Sequence, residues 1–429
     1  MLKNKKIISV FCSICLCSVL NAKELSLENL IEVALENNTN IQLSKNQEEV
    51  NKQKLRQSKA SYLPYITSSA DVGEYDIKQN QIRQEGDATN ITVSASQLIY
   101  DFGKTSSKIE ASNYNLKAAK SDIESITKEI ILVVKKAYFD ILNKNQQIIV
   151  AKEAVKLDEL QLSQAKEYFK AGIRTQIDIT NAQLQLSNSK LKLIQANYDL
   201  KKSKTNLISI LGKNIGNDLK IELDQDDIKY LAKNVSLEYT NIDELTNLAI
   251  KNRTELKKYN SLIRANKQIL ESTKNEYLPT IGLNASYKDS NSEDISSLES
   301  NQSTILLNMK WDIFTGFTRD ANKKIAISNL SSSYKQKQQQ ELEIIEAVTN
   351  AHLNTKQSFE SIKISLLSLS FATKNLDLAL QRYKAGLNDL LEVNDAKLHY
   401  TQARTNLINT YYSHLVNNAN LEYTIGTIK

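Results

Sequence analysis

The chain has 429 residues, 41% of them hydrophobic, with a formal charge of +6, ten glycines and only two prolines. A mean hydropathy of −0.41 excludes a large compact core, and so few breakers exclude a row of ordinary globular domains. The charge is too small to argue for nucleic acid as a partner.

Residues 1–22 read as a secretory signal peptide, with Lys3, Lys5 and Lys6 before an apolar run and Ala22 as the last residue before cleavage. The alternative is an uncleaved anchor, for which the run is short. Cys12, Cys15 and Cys17 all fall inside this segment, so the mature chain carries no thiol and its formal charge drops to +3. No other stretch has the ~18–20 continuous apolar residues of a membrane helix. An exported chain of this kind crosses a membrane only as a closed β-barrel.

Residues 25–60 read as helix, capped at Ser26, with Leu30, Ile31, Val33 and Ala34 on one face and a break expected near 37–40. Proline in Tyr62-Leu63-Pro64 forbids continuation. The period then alternates, predicting strands at 66–77 and 88–100 joined by a polar external loop at 78–87. Each run is about ten residues, the length of a tilted membrane strand. Next comes a helix over 104–170 with no glycine or proline, roughly 100 Å long at ~1.5 Å per residue. It turns at Phe169-Lys170-Ala171-Gly172-Ile173, and a return helix ends at Leu211-Gly212.

The plan then recurs. The second half opens at Asn241 and reaches Tyr277-Leu278-Pro279, so the two prolines occupy matching places. Strands are expected at 281–288 and 303–314, with a polar connection at 289–302. A shift of 214 carries Phe169-Lys170-Ala171-Gly172 onto Tyr383-Lys384-Ala385-Gly386, Ala182 and Leu184 onto Ala396 and Leu398, and Leu211-Gly212 onto Ile425-Gly426. One fixed offset marks an internal duplication, with repeats at 23–212 and 241–429 and a linker at 213–240. Asp224, Asp226 and Asp227 in that linker read as a solvated face, because the ligand spacing of a calcium loop is missing. Aromatics gather where strand meets helix: Tyr62, Tyr65, Tyr100 and Phe102, then Tyr277, Trp311, Phe314 and Phe317. They fit either an interfacial belt or a hairpin packed on the helix ends.

The return helix carries two apolar ladders at seven-residue spacing, Ile177-Leu184-Leu191-Tyr198 and Ile179-Leu186-Leu193-Leu200-Leu207. A helix with two seams touches a neighbour on each side, as in a cylindrical wall. Four strands and four long helices cannot enclose a wide bore, so closure requires several copies in cyclic symmetry. Enzyme signatures are missing: there is no phosphate loop, no His-Glu-x-x-His and no nucleophile elbow. His352, His399 and His414 lie singly on helices.

Together these features resemble the TolC family of outer-membrane efflux proteins. They are the exported precursor, the duplicated helix–strand–strand–helix–helix unit, the paired Tyr-Leu-Pro, Tyr100-Asp101-Phe102-Gly103 against Phe314-Thr315-Gly316-Phe317, and the paired Lys-Ala-Gly turns. The resemblance covers nearly all of the mature chain. It implies a mainly α fold with a small β part, in which long helical hairpins form a periplasmic tunnel. Four strands per chain would enter a homotrimeric barrel of about twelve strands set in outer-membrane lipid of a Gram-negative bacterium. The implied role is a passive exit duct for efflux or type I secretion, joined by a periplasmic adaptor (a membrane fusion protein) to an inner-membrane transporter of RND or ABC type, with no cofactor and no metal. The contrasting possibility is an exported coiled-coil structural or adhesive protein without a pore, for which paired ten-residue strands have no use.

The resemblance also assigns residues. Glu392 and Asp395 fall where acidic rings narrow the tunnel, and three-residue spacing puts both on one helix face, turned to the axis if Leu391 and Val393 face the walls. Asp178 and Tyr383 match gate contacts, implying a Tyr383 hydroxyl donated to the Asp178 carboxylate. Asn388 stands at the family's gate arginine position and Ile177 at its threonine, leaving Arg174 as a candidate substitute. The turns Ala171-Gly172-Ile173 and Ala385-Gly386-Leu387 match the adaptor-docking tips.

Overall fold

A computed structural model describes residues 25–79, 82–212, 221, 227–236, 241–292 and 299–429. The expected signal peptide with its cysteines lies outside the described residues, as do Asp224 and Asp226. The elements run α1 (Leu27–Asn37), α2 (Thr39–Ala60), β1 (Tyr65–Gln79), β2 (Ile82–Tyr100), α3 (Lys104–Lys170), α4 (Gln176–Leu211), α5 (Ile228–Lys233), α6 (Ile242–Asn252), α7 (Thr254–Asn275), β3 (Thr280–Asn291), β4 (Ser300–Lys310), α8 (Thr318–Lys384) and α9 (Leu390–Thr424).

The expected break in the first helix falls at Asn38, whose φ of −62° and ψ of 129° leave the helical region. Its amide donates to the Ile210 carbonyl at 2.7 Å, and its side-chain oxygen accepts from Asn40 N. The α1–α2 corner therefore sits on the end of α4. A Cβ built on Gly212 would lie 2.4 Å from the Asn37 carbonyl oxygen, so only glycine lets the two backbones approach there. The second half repeats the corner with a different donor: Arg253 breaks α6 from α7, and its guanidinium reaches the Tyr423 carbonyl at 3.1 Å beside Gly426. Asp227 caps α5 through Lys229 N at 3.0 Å.

The long helices stand side by side in the order α4–α3–α9–α8. Toward the sheet, α2 and α7 take the places of α4 and α9: Ser58 of α2 meets Ser112 of α3, and Lys258 of α7 meets Asp122 of α3. The described residues share no single core. Apolar clusters follow one another along the helices, such as Leu30, Val134, Ile141, Leu207 and Leu211 near the corner, then Ala165, Ala182, Leu376, Leu390 and Val393 near the turns. Each fully buried aliphatic side chain stabilises by ~1.5–3 kcal/mol. The second ladder of α4 lies in the wall, with Ile179 and Leu207 buried. The first, Ile177-Leu184-Leu191-Tyr198, is exposed along its whole length. On the opposite edge, α8 exposes Ile364, Phe371 and Leu378 at the same spacing. Both outer helices thus present an apolar seam that their own chain leaves uncovered.

The sheet is antiparallel throughout, in the order β1-β2-β3-β4, which leaves β1 and β4 as edges. Residues 78–79 and 82–87 of the expected loop are paired strand. The β1–β2 ladder runs as far as the Gln79–Ile82 pair. Polarity there marks solvent rather than a turn: Arg83 clasps Asp76 with two hydrogen bonds of 2.9 and 2.7 Å across the strands. The expected strand at 303–314 ends early, at Lys310. The Trp311 indole instead donates to the Tyr277 carbonyl at 3.0 Å, and Arg319 holds the Ile313 carbonyl at 2.9 Å, drawing this segment onto the end of α7. Tyr65, Tyr100, Trp311, Phe314 and Phe317 are all exposed, so these aromatics are not packed core.

Candidate functional site

The two turns have one construction. Gly172 N donates to the Phe169 carbonyl at 3.0 Å and Ile173 N to the Tyr168 carbonyl at 2.9 Å; Gly386 N and Leu387 N do the same to Tyr383 and Arg382 at 3.1 and 2.9 Å. These are Schellman stops, which need a left-handed residue, and Gly172 and Gly386 supply φ of 70° and 73°. Ile173 and Leu387, the apolar residues after each glycine, point to solvent. So do Ala171 and Ala385.

The expected Tyr383–Asp178 hydrogen bond does not form. The Asp178 carboxylate accepts from Thr175 N and Thr175 Oγ1, both at 2.9 Å, because an acid three residues into a helix is drawn to its own N-cap. Tyr383 is 2% exposed and its hydroxyl has no partner among the described residues. Burial pushes that phenol above its ordinary value; the Arg174 charge opposes the shift, and Asp178 and Tyr168 add to it. The Asn388 side-chain amide donates to the Ala379 carbonyl of its own hairpin at 3.2 Å, and its backbone carbonyl accepts from Arg174 Nη2 at 2.6 Å. The same guanidinium stacks 5.3 Å from the Tyr383 ring centroid. Arg174 therefore bridges the two turns.

Glu392 and Asp395 share one exposed face of α9, opposite the buried Val393, Ala396 and Lys397. Leu391 does not face the protomer's own wall as Val393 does; it is 74% exposed. Arg382 Nε lies 3.4 Å from Glu392, and His399 Nε2 lies 3.5 Å from Asp395. Behind this face lies a cluster that sequence reasoning missed. Asp158 of α3, 0% exposed, accepts from both Lys397 of α9 and Ser189 of α4. Nearby, Arg404 of α9 pairs with Glu153 of α3 and reaches the Tyr400 hydroxyl. The signal was present: Asp158 sits between Val155 and Leu162 of an apolar ladder, where a carboxylate demands a buried cation.

Side-by-side long helices with exposed apolar outer seams end in a sheet with two open edges and exposed Ile305, Leu306, Leu307 and Met309, an extended wall with no compact core. This is the architecture of a wall element rather than of a globular domain. The comparisons agree. The outer membrane efflux protein family model matches twice, over residues 30–213 and 245–427, and the chain belongs to that family. It is 22% identical over 392 residues to the outer membrane protein TolC of Salmonella enteritidis, covering 88% of this chain and 77% of that one. It is 23% identical to TolC of Vibrio cholerae, covering 99% of this chain and 96% of that one. The crystal structure of the Campylobacter jejuni CmeC outer membrane channel superposes with a TM-score of 0.80 at 18% identity, covering 94% of this chain and 85% of that one. The protein is thus an outer-membrane channel of the Gram-negative envelope that extends into the periplasm, from a family of passive conduits rather than enzymes.

Proposed function

We propose that three copies of the chain close into a duct that forms the exit of a tripartite efflux pump or type I secretion system. The observation that carries this reading is the pair of uncovered ladders on opposite edges, Ile177-Leu184-Leu191-Tyr198 on α4 and Ile364-Phe371-Leu378 on α8. A head-to-tail contact of α4 with α8, and of β1 with β4, is a heterologous interface that closes into a ring. Three sheets of four strands make a barrel of about twelve, with Ile305, Leu307 and Met309 toward lipid and the exposed aromatics at its rim. Glu392 and Asp395 form a cation-attracting ring around the narrowest bore. The tips at Ala171, Gly172, Ile173, Ala385, Gly386 and Leu387 receive a periplasmic adaptor, which joins the duct to an RND or ABC transporter. The exposed Ile173 and Leu387 give that adaptor apolar ground.

Conductance of the purified protein in planar bilayers tests the reading. A small cation-selective conductance is expected, blocked by divalent or trivalent metal from the periplasmic side. Protein that never conducts, even with Glu392 and Asp395 replaced by Ala, would favour a structural or adhesive coiled coil.

A further inference from the structure

We infer that Asp395 and His399 of α9 form a binding site for a divalent transition-metal ion such as Zn²⁺, which plugs the narrow end of the bore. The inference rests on the reading above, in which the Glu392–Asp395 face of α9 lines that bore, and it names the class of ion this face selects.

The geometry of the pair carries it. Asp395 and His399 stand four residues apart on one helix, the spacing by which a helix offers two ligands to a zinc ion. Both side chains are exposed, on the face that also carries Glu392. His399 Nε2 lies 3.5 Å from Asp395 Oδ2. That is longer than the about 2.7–3.2 Å of an N–H···O hydrogen bond. A carboxylate oxygen and an imidazole nitrogen on one tetrahedral zinc, each at about 2.0–2.2 Å from the metal, stand roughly 3.4 Å apart. The two donors are therefore spaced to take a metal between them.

The surrounding charges leave this pair available. Glu392 has a fixed cation in Arg382 at 3.4 Å. Asp178 is bound to its own N-cap, and Asp158 and Glu153 hold Lys397 and Arg404. Among the described residues, the one basic group beside Asp395 is His399, and imidazole is itself a metal ligand. His399 also borders a groove between α8 and α9 whose other lining residues, among them Ser368, Asn375 and Asn406, carry no charge.

The donor set selects the metal. Calcium and magnesium take oxygen ligands, whereas imidazole suits zinc, copper and nickel. One chain supplies only two donors, since no three ligating side chains meet among its described residues. The same pair on the sister copies supplies the rest, so the tight site forms where the copies converge on the bore.

Single-channel recording on the full mature protein, with zinc or magnesium chloride added on the periplasmic side, tests this. Zinc should block wild type at a lower concentration than magnesium. Losing even an outer-shell partner weakens a metal site by roughly 10–100-fold, so His399→Ala should raise the blocking concentration of zinc at least about tenfold, toward that of magnesium. His352→Ala and His414→Gln, at the other two histidines, should keep wild-type zinc block. X-ray absorption of the purified protein with limiting zinc should show histidine nitrogen on the metal in wild type and oxygen alone in His399→Ala. Equal block by the two cations in wild type, undiminished zinc block in His399→Ala, the same loss in His352→Ala or His414→Gln, or a zinc spectrum without nitrogen overturns the inference. In each of those cases, magnesium block that disappears in Glu392→Ala with Asp395→Ala leaves the channel and its acidic ring standing. A wild type that conducts but is blocked by neither cation removes this face from the bore, and the site with it. A protein that never conducts overturns both readings.

Discussion

In the first hairpin, α3–α4, the Asp178 carboxylate is consumed in capping α4 on Thr175. In the second, α8–α9, Asp389 caps α9 through the Glu392 amide at 3.1 Å, and the Glu392 carboxylate, 214 residues after Asp178, stays exposed. The same shift sets Asp158 and Ser189 of the first against Ala372 and Ala403 of the second, and Arg174 against Asn388. The backbone plan is shared down to the hydrogen bonds of the turns, while the charges have been divided. The carboxylates that tie α3 to α9, Asp158 and Glu153, lie in the first hairpin and their cations Lys397 and Arg404 in the second, whose own carboxylates Glu392 and Asp395 are exposed.

The sharpest way to break the comparison is at the turns, where the hairpins are alike. A Cβ added at Gly172 or Gly386 meets nothing within 4 Å, but a valine there must adopt a left-handed backbone, at a cost of ~1–2 kcal/mol. Each variant should abolish transport in cells expressing the pump, as dye accumulation would show, while the oligomer survives. Normal transport by either would remove that tip from adaptor docking.

Next in size is the buried pair. Lys397→Met leaves Asp158 unpaired and should destabilise the fold by ~3–5 kcal/mol, whereas Asp158→Leu with Lys397→Met, closer to the apolar chemistry of the second hairpin, should recover most of it. Thermal unfolding of both variants in detergent checks the order. The matched acids differ more subtly. Glu392→Ala with Asp395→Ala should remove multivalent-cation block of the conductance. Asp178→Ala should leave block intact and cost ~1 kcal/mol of stability through the lost cap. Equal block in wild type and the double variant would contradict the placement of the ring.

The smallest effect is titration of His414, enclosed between Ser358 and Asn418 in the second hairpin. Burial holds its pKa below the ordinary value, outweighing a backbone hydrogen bond at Thr355 that raises it. The unfolded chain then binds the proton more readily, so stability falls as pH drops through about 6.5 and levels off below the folded value. His414→Gln should flatten that slope in melting temperature against pH.

Much of this was legible in the amino-acid order. The long helices follow from the lack of glycine and proline inside 104–170, and the change of period after Pro64 and Pro279 marks the sheet. Two ladders on one helix announced two neighbours, and the structure divides them into one buried seam and one bare seam. The polar ends of β1 and β2 read as a loop because polarity marks solvent and turns alike, whereas the ladder extends to the Gln79–Ile82 pair. Arg174 to Asn388 and Asp158 to Lys397 join residues 214 and 239 apart. Periodicity describes the face of one helix, and no local pattern states which helix stands opposite.

The central claim is that one polypeptide supplies a third of a tube. Native mass spectrometry of the detergent-purified mature protein tests it most directly. The account predicts the mass of three chains, and conversion to single chains when Leu191 on α4 and Phe371 on α8 are both changed to Lys. A single-chain or two-chain mass for the unaltered protein, or three chains that persist with both lysines in place, would contradict it.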